Sequence, residues 1–126
     1  MDKNFSQRLK EVLFLLASEP NVQINAFPDF VHTPDEIASE TLDAIEYAPN
    51  DLGQEDISIL NVLRAIDFIF DRMVGDASNW TIDSIKTNAL WQHVRLLARD
   101  GTEKNKLNYK QPVLFWLSYF REKPLG

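Results

Sequence analysis

Three carboxylates, Glu36, Glu40 and Asp43, follow one another at i, i+4 and i+7, the spacing that lines side chains up along one flank of a helix. Such a row can ligate a hard cation, divide into a general acid and a general base, or present negative charge to a partner. The first two uses need groups converging from other elements, as paired Glu-x-x-His motifs supply in di-iron bundles, and no such motif occurs. The two histidines, His32 and His93, lie in different segments, and Pro34 stands between His32 and Glu36 at an expected helix start. His32 is expected in a loop and His93 on an exposed helical face. Cysteine is absent, which removes thiolate ligands and thiol nucleophiles. Gly53, Gly75, Gly101 and Gly126 are too scattered to cradle a phosphate, and there is no Gly-x-Ser-x-Gly elbow. The chain therefore reads as a non-enzyme, with no catalytic residue, metal or cofactor expected.

The charge distribution is the stronger signal. The net charge is −6. Residues 1–63 carry 12 acids against Lys3, Arg8 and Lys10, a net of −9, whereas residues 64–126 carry 7 acids against 10 bases, a net of +3. No lysine or arginine falls between Lys10 and Arg64. An acidic surface of that kind repels phosphates and anionic membranes and attracts cations. Arg95, Arg99, Lys104, Lys106, Lys110, Arg121 and Lys123 are basic enough to suggest RNA, but Asp100, Glu103 and Glu122 interrupt them. No nucleic acid and no membrane is expected as a partner. The competing interpretation is a solvated helix face, or an acidic half packed beside a basic one.

These groups need elements to hold them. At 126 residues and 44% apolar composition, the chain suits one domain with a real core. Phe5, Leu9, Val12, Leu13, Leu16 and Ala17 recur at helical spacing, and Phe14 and Leu15 widen that stripe into a central helix over 5–18. Pro20 and Pro28 bracket an irregular or briefly extended connection over 19–32. Thr33-Pro34-Asp35-Glu36 predicts a second helix, with Thr33 as cap, Pro34 at the first position and Glu36 closing a capping box; it ends at Pro49-Asn50. A third helix is expected over 54–74, closed by Gly75, its apolar coverage broad enough for contacts on several sides. A turn at 76–79, a short helix over 80–86, and a helix capped by Asn88 over 89–100 follow, with Arg95 and Arg99 outside. Residues 102–110 are expected to be exposed. The dense apolar run 112–120 fits a buried strand or a helix; helix is the expectation, since only Val113 is β-branched and no partner strand is evident. Trp91 and Trp116 fall on apolar stripes and are expected in the core. Trp80 is expected beneath the start of the next helix, its alternative role being an exposed anchor. The whole reads as an all-α, single compact domain of five or six helices spanning 1–126. The opening residues do not have the pattern of a signal peptide and no apolar run is long enough to span a bilayer, so a cytoplasmic protein is expected.

Several stretches together resemble a group of small acidic bacterial proteins of the kind encoded near toxins. They are LKEVLFLLAS from Leu9 to Ser18, Pro28-Asp29-Phe30-Val31, the start Pro34-Asp35-Glu36-Ile37-Ala38, and Trp80-Thr81 followed by Trp91-x-x-Val94-Arg95-x-Leu97-Ala98-Arg99. They cover less than half of the chain, contain no catalytic signature, and leave the tail after Gly101 without a counterpart. The resemblance implies an immunity-type inhibitor. The function expected from charge is a protein-binding module whose acidic half engages a basic partner through Asp29, Asp35, Glu36, Glu40, Asp43, Glu46, Asp51, Glu55 and Asp56. The alternative is a structural or regulatory homodimer formed through the broad third helix, its charge incidental.

Overall fold

The computed structural model describes residues 3–117, the side chain of Lys3 excepted. Six α-helices form an all-α domain: α1 (Lys3–Ala17), α2 (Pro20–Asn25), α3 (Thr33–Glu46), α4 (Gln54–Met73), α5 (Ile82–Thr87) and α6 (Ala89–Lys104). α1 is the central element, as its wide stripe requires: Leu9, Val12, Leu13, Leu15 and Leu16 are fully buried, and the helix packs against α6, α3 and α4.

A helix end leaves four backbone carbonyls without partners, and at α1 each one is satisfied by a side chain. Ser18 Oγ donates to Phe14 O at 2.7 Å, Gln23 Nε2 to both Leu15 O and Leu16 O at 3.1 Å, and Arg99 Nε to Ala17 O at 2.9 Å. Gln23 reaches this position because Pro20 opens α2, where an irregular connection was expected. Proline ends one helix, but its fixed φ also suits the first position of the next. Arg95, expected outside, is instead buried and donates from Nη1 to Gln23 Oε1 at 2.9 Å. Burial, then the charge of Arg99, holds its pKa below the usual arginine value.

α3 begins at Thr33 itself, with His32 at the cap position and no side-chain cap hydrogen bond. Thr33 and Pro34 are buried there, so the expected capping box does not form. α3 ends at Glu46, ahead of Pro49, and α4 ends at Met73; Gly75 then takes a φ of 99°, a left-handed conformation that glycine adopts without strain. The breadth of α4 is explained by three neighbours, since α1, α3 and α6 all pack on it. A 3-10 turn (Ala77–Asn79) leads to α5, which Thr81 caps through Ser84 N, and Asn88 caps α6 through Leu90 N at 2.7 Å.

α6 continues through Gly101 to Lys104, although glycine there reads as a stop. A Cβ at this position would lie 2.8 Å from Val62 Cγ1. Gly101 is thus the close-approach point of α6 on α4 rather than a terminator. Beyond Lys106, whose φ is 56°, residues 107–117 form a strap instead of the expected helix over 112–120, with a turn at 115–116; residues 118–120 lie outside the described part. Pro112 has no N–H, and Gln111 before it is biased to extended backbone. Tyr109 OH meets Ser18 Oγ at 2.7 Å, Val113 N donates to Glu11 Oε1 at 2.8 Å, and Trp116 Nε1 donates to Glu40 Oε1 at 2.7 Å. The strap therefore runs antiparallel to α1, and Leu114 and Leu117 join the core. Among the described residues no helix is long and apolar enough to cross a membrane.

Candidate partner-binding surface

The inward stripe of α3, Ile37, Thr41 and Ala44, divides its acids between two flanks. Helical geometry places Glu36, Glu40 and Asp43 on one flank, and Asp35, Ser39, Leu42 and Glu46 on the outward face beside the second flank, which carries Ala38. The first flank faces α1 and the strap. Glu40 is buried there, and its Oε1 accepts from Trp116 and lies 3.6 Å from Arg8 Nη2. Burial is the main reason its carboxyl is pushed up to about 7, with the neighbouring Glu36 adding to the effect and the Trp116 bond and Arg8 opposing it.

The second flank faces α4 across an open groove of about 420 Å³. Its apolar surface comes from Ala38, Leu42, Phe70, Val74 and Trp80, and Asp35, Asp67 and Asp71 line it as well. An aromatic cluster fixes the floor: the Phe70 ring lies 6.1 Å from Trp80 and 5.2 Å from Trp91, centroid to centroid. The Trp80 Nε1 and Asn79 Nδ2 groups both donate to Met73 O, closing the end of α4. Trp80 is thus half-buried against the end of α4 and against Trp91 of α6, and it also lines the groove. Trp91 is fully buried, and Trp116 is partly so.

The groove's carboxylates are poorly neutralised. Asp35 has His32 Nε2 at 3.8 Å, and that nitrogen already donates to Trp80 O at 2.8 Å. Among the described residues, Asp67, Asp71 and Glu46 form no ion pair. Burial, together with the charges of Asp71 and Glu46, lifts the Asp67 carboxyl above the ordinary carboxylate value. Three carboxylates thus border an apolar trough, with Glu46 adjacent, an arrangement complementary to an apolar segment carrying positive charge.

The nine acidic residues expected to bind a partner separate accordingly. Asp29, Asp35, Glu46, Asp51 and Glu55 are exposed, Glu36 and Asp43 are half-buried, and Glu55 lies 3.7 Å from Lys10 Nζ. Glu40 and Asp56 are buried and satisfied internally, Asp56 by Ser6 Oγ at 2.8 Å; neither is available to a partner in this conformation. The structure adds Asp67 and Asp71, which the first-half charge imbalance does not include. Their signal was present in the spacing of Asp67, Asp71 and Val74, which puts two acids beside an apolar residue on one stripe of α4. His32 and His93 are both exposed and belong to separate regions. No group of three potential metal ligands converges among the described residues. The chain matches no family model, no curated protein and no solved structure.

Proposed function

We propose that this protein is a non-catalytic binding module that holds a basic partner protein against the groove between α3 and α4. The carrying observation is the groove itself, an apolar floor bordered by Asp35, Asp67 and Asp71, with Glu46 adjacent. Association begins with attraction of the cationic partner toward the net negative surface and ends with an apolar side chain seated over Trp80 and Phe70. A mechanism of this kind gives fast, salt-sensitive association. If the basic surface is a toxin's nucleic-acid cleft, the carboxylates stand in for phosphates and block substrate, which is the inhibitor role that the sequence resemblance suggests.

The test compares the native chain with Asp35→Asn/Asp67→Asn/Asp71→Asn, a substitution set that removes charge at near-constant volume. Each form is immobilised and exposed to source-cell extract at low salt and at about 1 M salt, where the screening length falls to ~3 Å. A cationic protein retained by the native form alone, released by salt and cross-linking to α3 and α4 is the expected result. Identical retention by both forms refutes the groove as the contact. A salt-insensitive dimer of the chain by light scattering, with no other protein bound, favours the homodimer alternative, for which the exposed Phe68 of α4 is the nearest anchor.

A further inference from the structure

Two chemically different stripes run side by side along α4. Asp67, Asp71 and Val74 line the groove. Arg64, Phe68 and Arg72, at i, i+4 and i+8, run up the neighbouring outward face, about 100° further round the helix. Since α4 already packs on α1, α3 and α6, this face is the part left over: Phe68 is 62% exposed, and Arg64 and Arg72 are exposed beside it. Arg64 Nη1 donates to Asn61 Oδ1 at 3.2 Å, and neither arginine forms an ion pair among the described residues. A phenylalanine bracketed by arginines one turn away on either side is an apolar segment carrying positive charge. That is the chemistry complementary to the groove, which exposes Leu42 and Val74 in its lining and carries Asp35, Asp67 and Asp71 along its borders.

We infer that, when no other protein is bound, the groove is occupied by the Arg64, Phe68 and Arg72 ridge of a second copy of this chain. The inference rests on the reading of the groove as a seat for an apolar, cationic segment. It differs from a homodimer with incidental charge, because charge here decides the pairing and the contact lies inside the binding site itself. Ridge and groove belong to one helix, so the exchange is reciprocal. A two-fold axis running alongside α4 sets the two α4 helices side by side in the same direction and brings the ridge of each copy against the groove of the other at the same height. A two-fold axis across the helices would oppose ridge to ridge and groove to groove, like charge against like. Charge therefore selects the parallel arrangement.

Height along α4 then sets the contacts. Arg72 lies within ~1.5 Å, one residue's rise, of the level of Asp71 in the second copy. Phe68 enters between the levels of Asp67 and Asp71 of the second copy, over Phe70 and beside Leu42. Arg64 adds positive charge at the end of the groove where Glu46 acts on Asp67. Symmetry makes every contact twice. The ring displaces water from the trough, and the arginines relieve the crowding of carboxylates around it. Two terms oppose this gain. Each copy carries a net charge of −6, so the copies repel at long range, and a contact of one helix with its flanks falls at the small end of stable interfaces. Self-association is therefore weak and concentration-dependent. It covers the groove as the chain accumulates and yields to a partner with a larger basic surface.

The experiment is sedimentation velocity of the purified full chain from about 10 µM to about 1 mM, a range suited to weak pairing. Salt is held at about 0.15 M, where a screening length of ~8 Å damps the net repulsion more than contacts between adjacent side chains. The mass should rise with concentration from that of one chain toward that of two; a mass fixed at one chain overturns the inference. Arg72→Glu and Asp71→Arg should each self-associate about tenfold or more weakly, because both symmetric contacts become acid on acid in the first and base on base in the second. Mixed in equal amounts, the two variants restore opposite charges at both contacts, so the mixture should associate like the native chain. A mixture no heavier than the variants alone overturns the pairing. Should circular dichroism show that either variant fails to fold, Phe68→Asp, at an exposed position, takes their place. It should keep the mass of one chain throughout, and a native-like curve overturns the inference. The partner proposal fails separately, since it is read by capture of a different protein, which these masses neither require nor exclude.

Discussion

Asp67→Asn should stabilise the protein, and the size of the gain follows from its neighbours. Asp67 faces Asp71 one turn along α4 and Glu46 at the end of α3, and its carboxyl is raised by burial first and by those two charges second. A carboxyl raised in the folded state holds its proton more tightly there than in the unfolded chain. The benefit is complete below the ordinary value of 3.8 and is lost as pH climbs through the raised one, leaving a penalty at neutral pH. A like-charge pair one helical turn apart costs about 0.2–0.5 kcal/mol. Asp71 is one such neighbour, and with burial and the Glu46 charge from α3 added and the site discounted as partly exposed, the gain from Asp67→Asn is roughly 0.5–1 kcal/mol at neutral pH and low salt. Asparagine and aspartate differ little in helix propensity, so the backbone contributes little to the difference. With a urea slope of about 2 kcal/mol/M for a domain of this size, the midpoint should rise by about 0.3–0.5 M. The gain should shrink in about 1 M salt and as pH is lowered toward 3.8. Urea unfolding followed by far-ultraviolet circular dichroism reads all three. An unchanged or lowered midpoint at neutral pH would show that Asp67 makes a stabilising contact, and the description of the groove as a charge-strained surface would fail.

Two further substitutions test how the scaffold holds that groove. Gln23→Ala strips the donor from Leu16 O and leaves Arg95 without its buried acceptor, while Leu15 O keeps the Ser18 N–H; at about 1–3 kcal/mol for each buried polar group left unsatisfied, a loss of roughly 2–4 kcal/mol is expected in the same urea assay, and a loss under about 1 kcal/mol would refute the capping role. Gly101→Ala should cost about 1–2 kcal/mol, because its Cβ meets the stiff Val62 side chain at 2.8 Å and the overpacking exceeds the helix-propensity gain. Val62→Ala/Gly101→Ala should recover much of that loss relative to Val62→Ala alone, and additive costs in the double-mutant cycle would disprove the crossing contact.

The features legible in the sequence are those whose cause is local. Asn88 caps α6 with its own side chain, Thr81 does the same for α5, and the apolar spacing of α1 and α4 determines which residues face inward, so the all-α class follows from short-range patterns. Other residues are governed by partners far along the chain. Glu40 is buried because Trp116 arrives 76 positions later, and Arg95 is buried because Gln23 lies 72 positions earlier. Gly101 looks like a helix end until Val62 is placed beside it. Pro20 and Pro112 show the same ambiguity in opposite senses: one opens a helix and the other belongs to an extended strap. At the candidate surface, the excess of acid was visible but its division was not. Spacing puts Glu36, Glu40 and Asp43 on one flank of α3 without revealing that the strap covers it.

That division decides where a charge-driven partner can act. The interval from Glu11 to Leu63 contains no lysine or arginine, so any positive charge near α3 must be brought from elsewhere in the fold. On the strap-facing flank it is brought: Arg8 reaches Glu40, and the Trp116 indole supplies a hydrogen bond. The acidic row there is partly consumed by the protein's own architecture, and its central member is inaccessible. On the α4-facing flank the fold adds Asp67 and Asp71 to Asp35 and Glu46, and His32, which approaches Asp35, is shared with a backbone carbonyl. Attraction of a cation scales with charge that is both exposed and unpaired, and is weakened where a pair already exists. The apolar floor is also on this second flank, where Leu42 and Val74 remain exposed. Steering charge and desolvating contact coincide in the α3–α4 groove, so on the proposed binding role substitutions there, rather than in the regularly spaced row that dominates the sequence, are the ones that should alter binding.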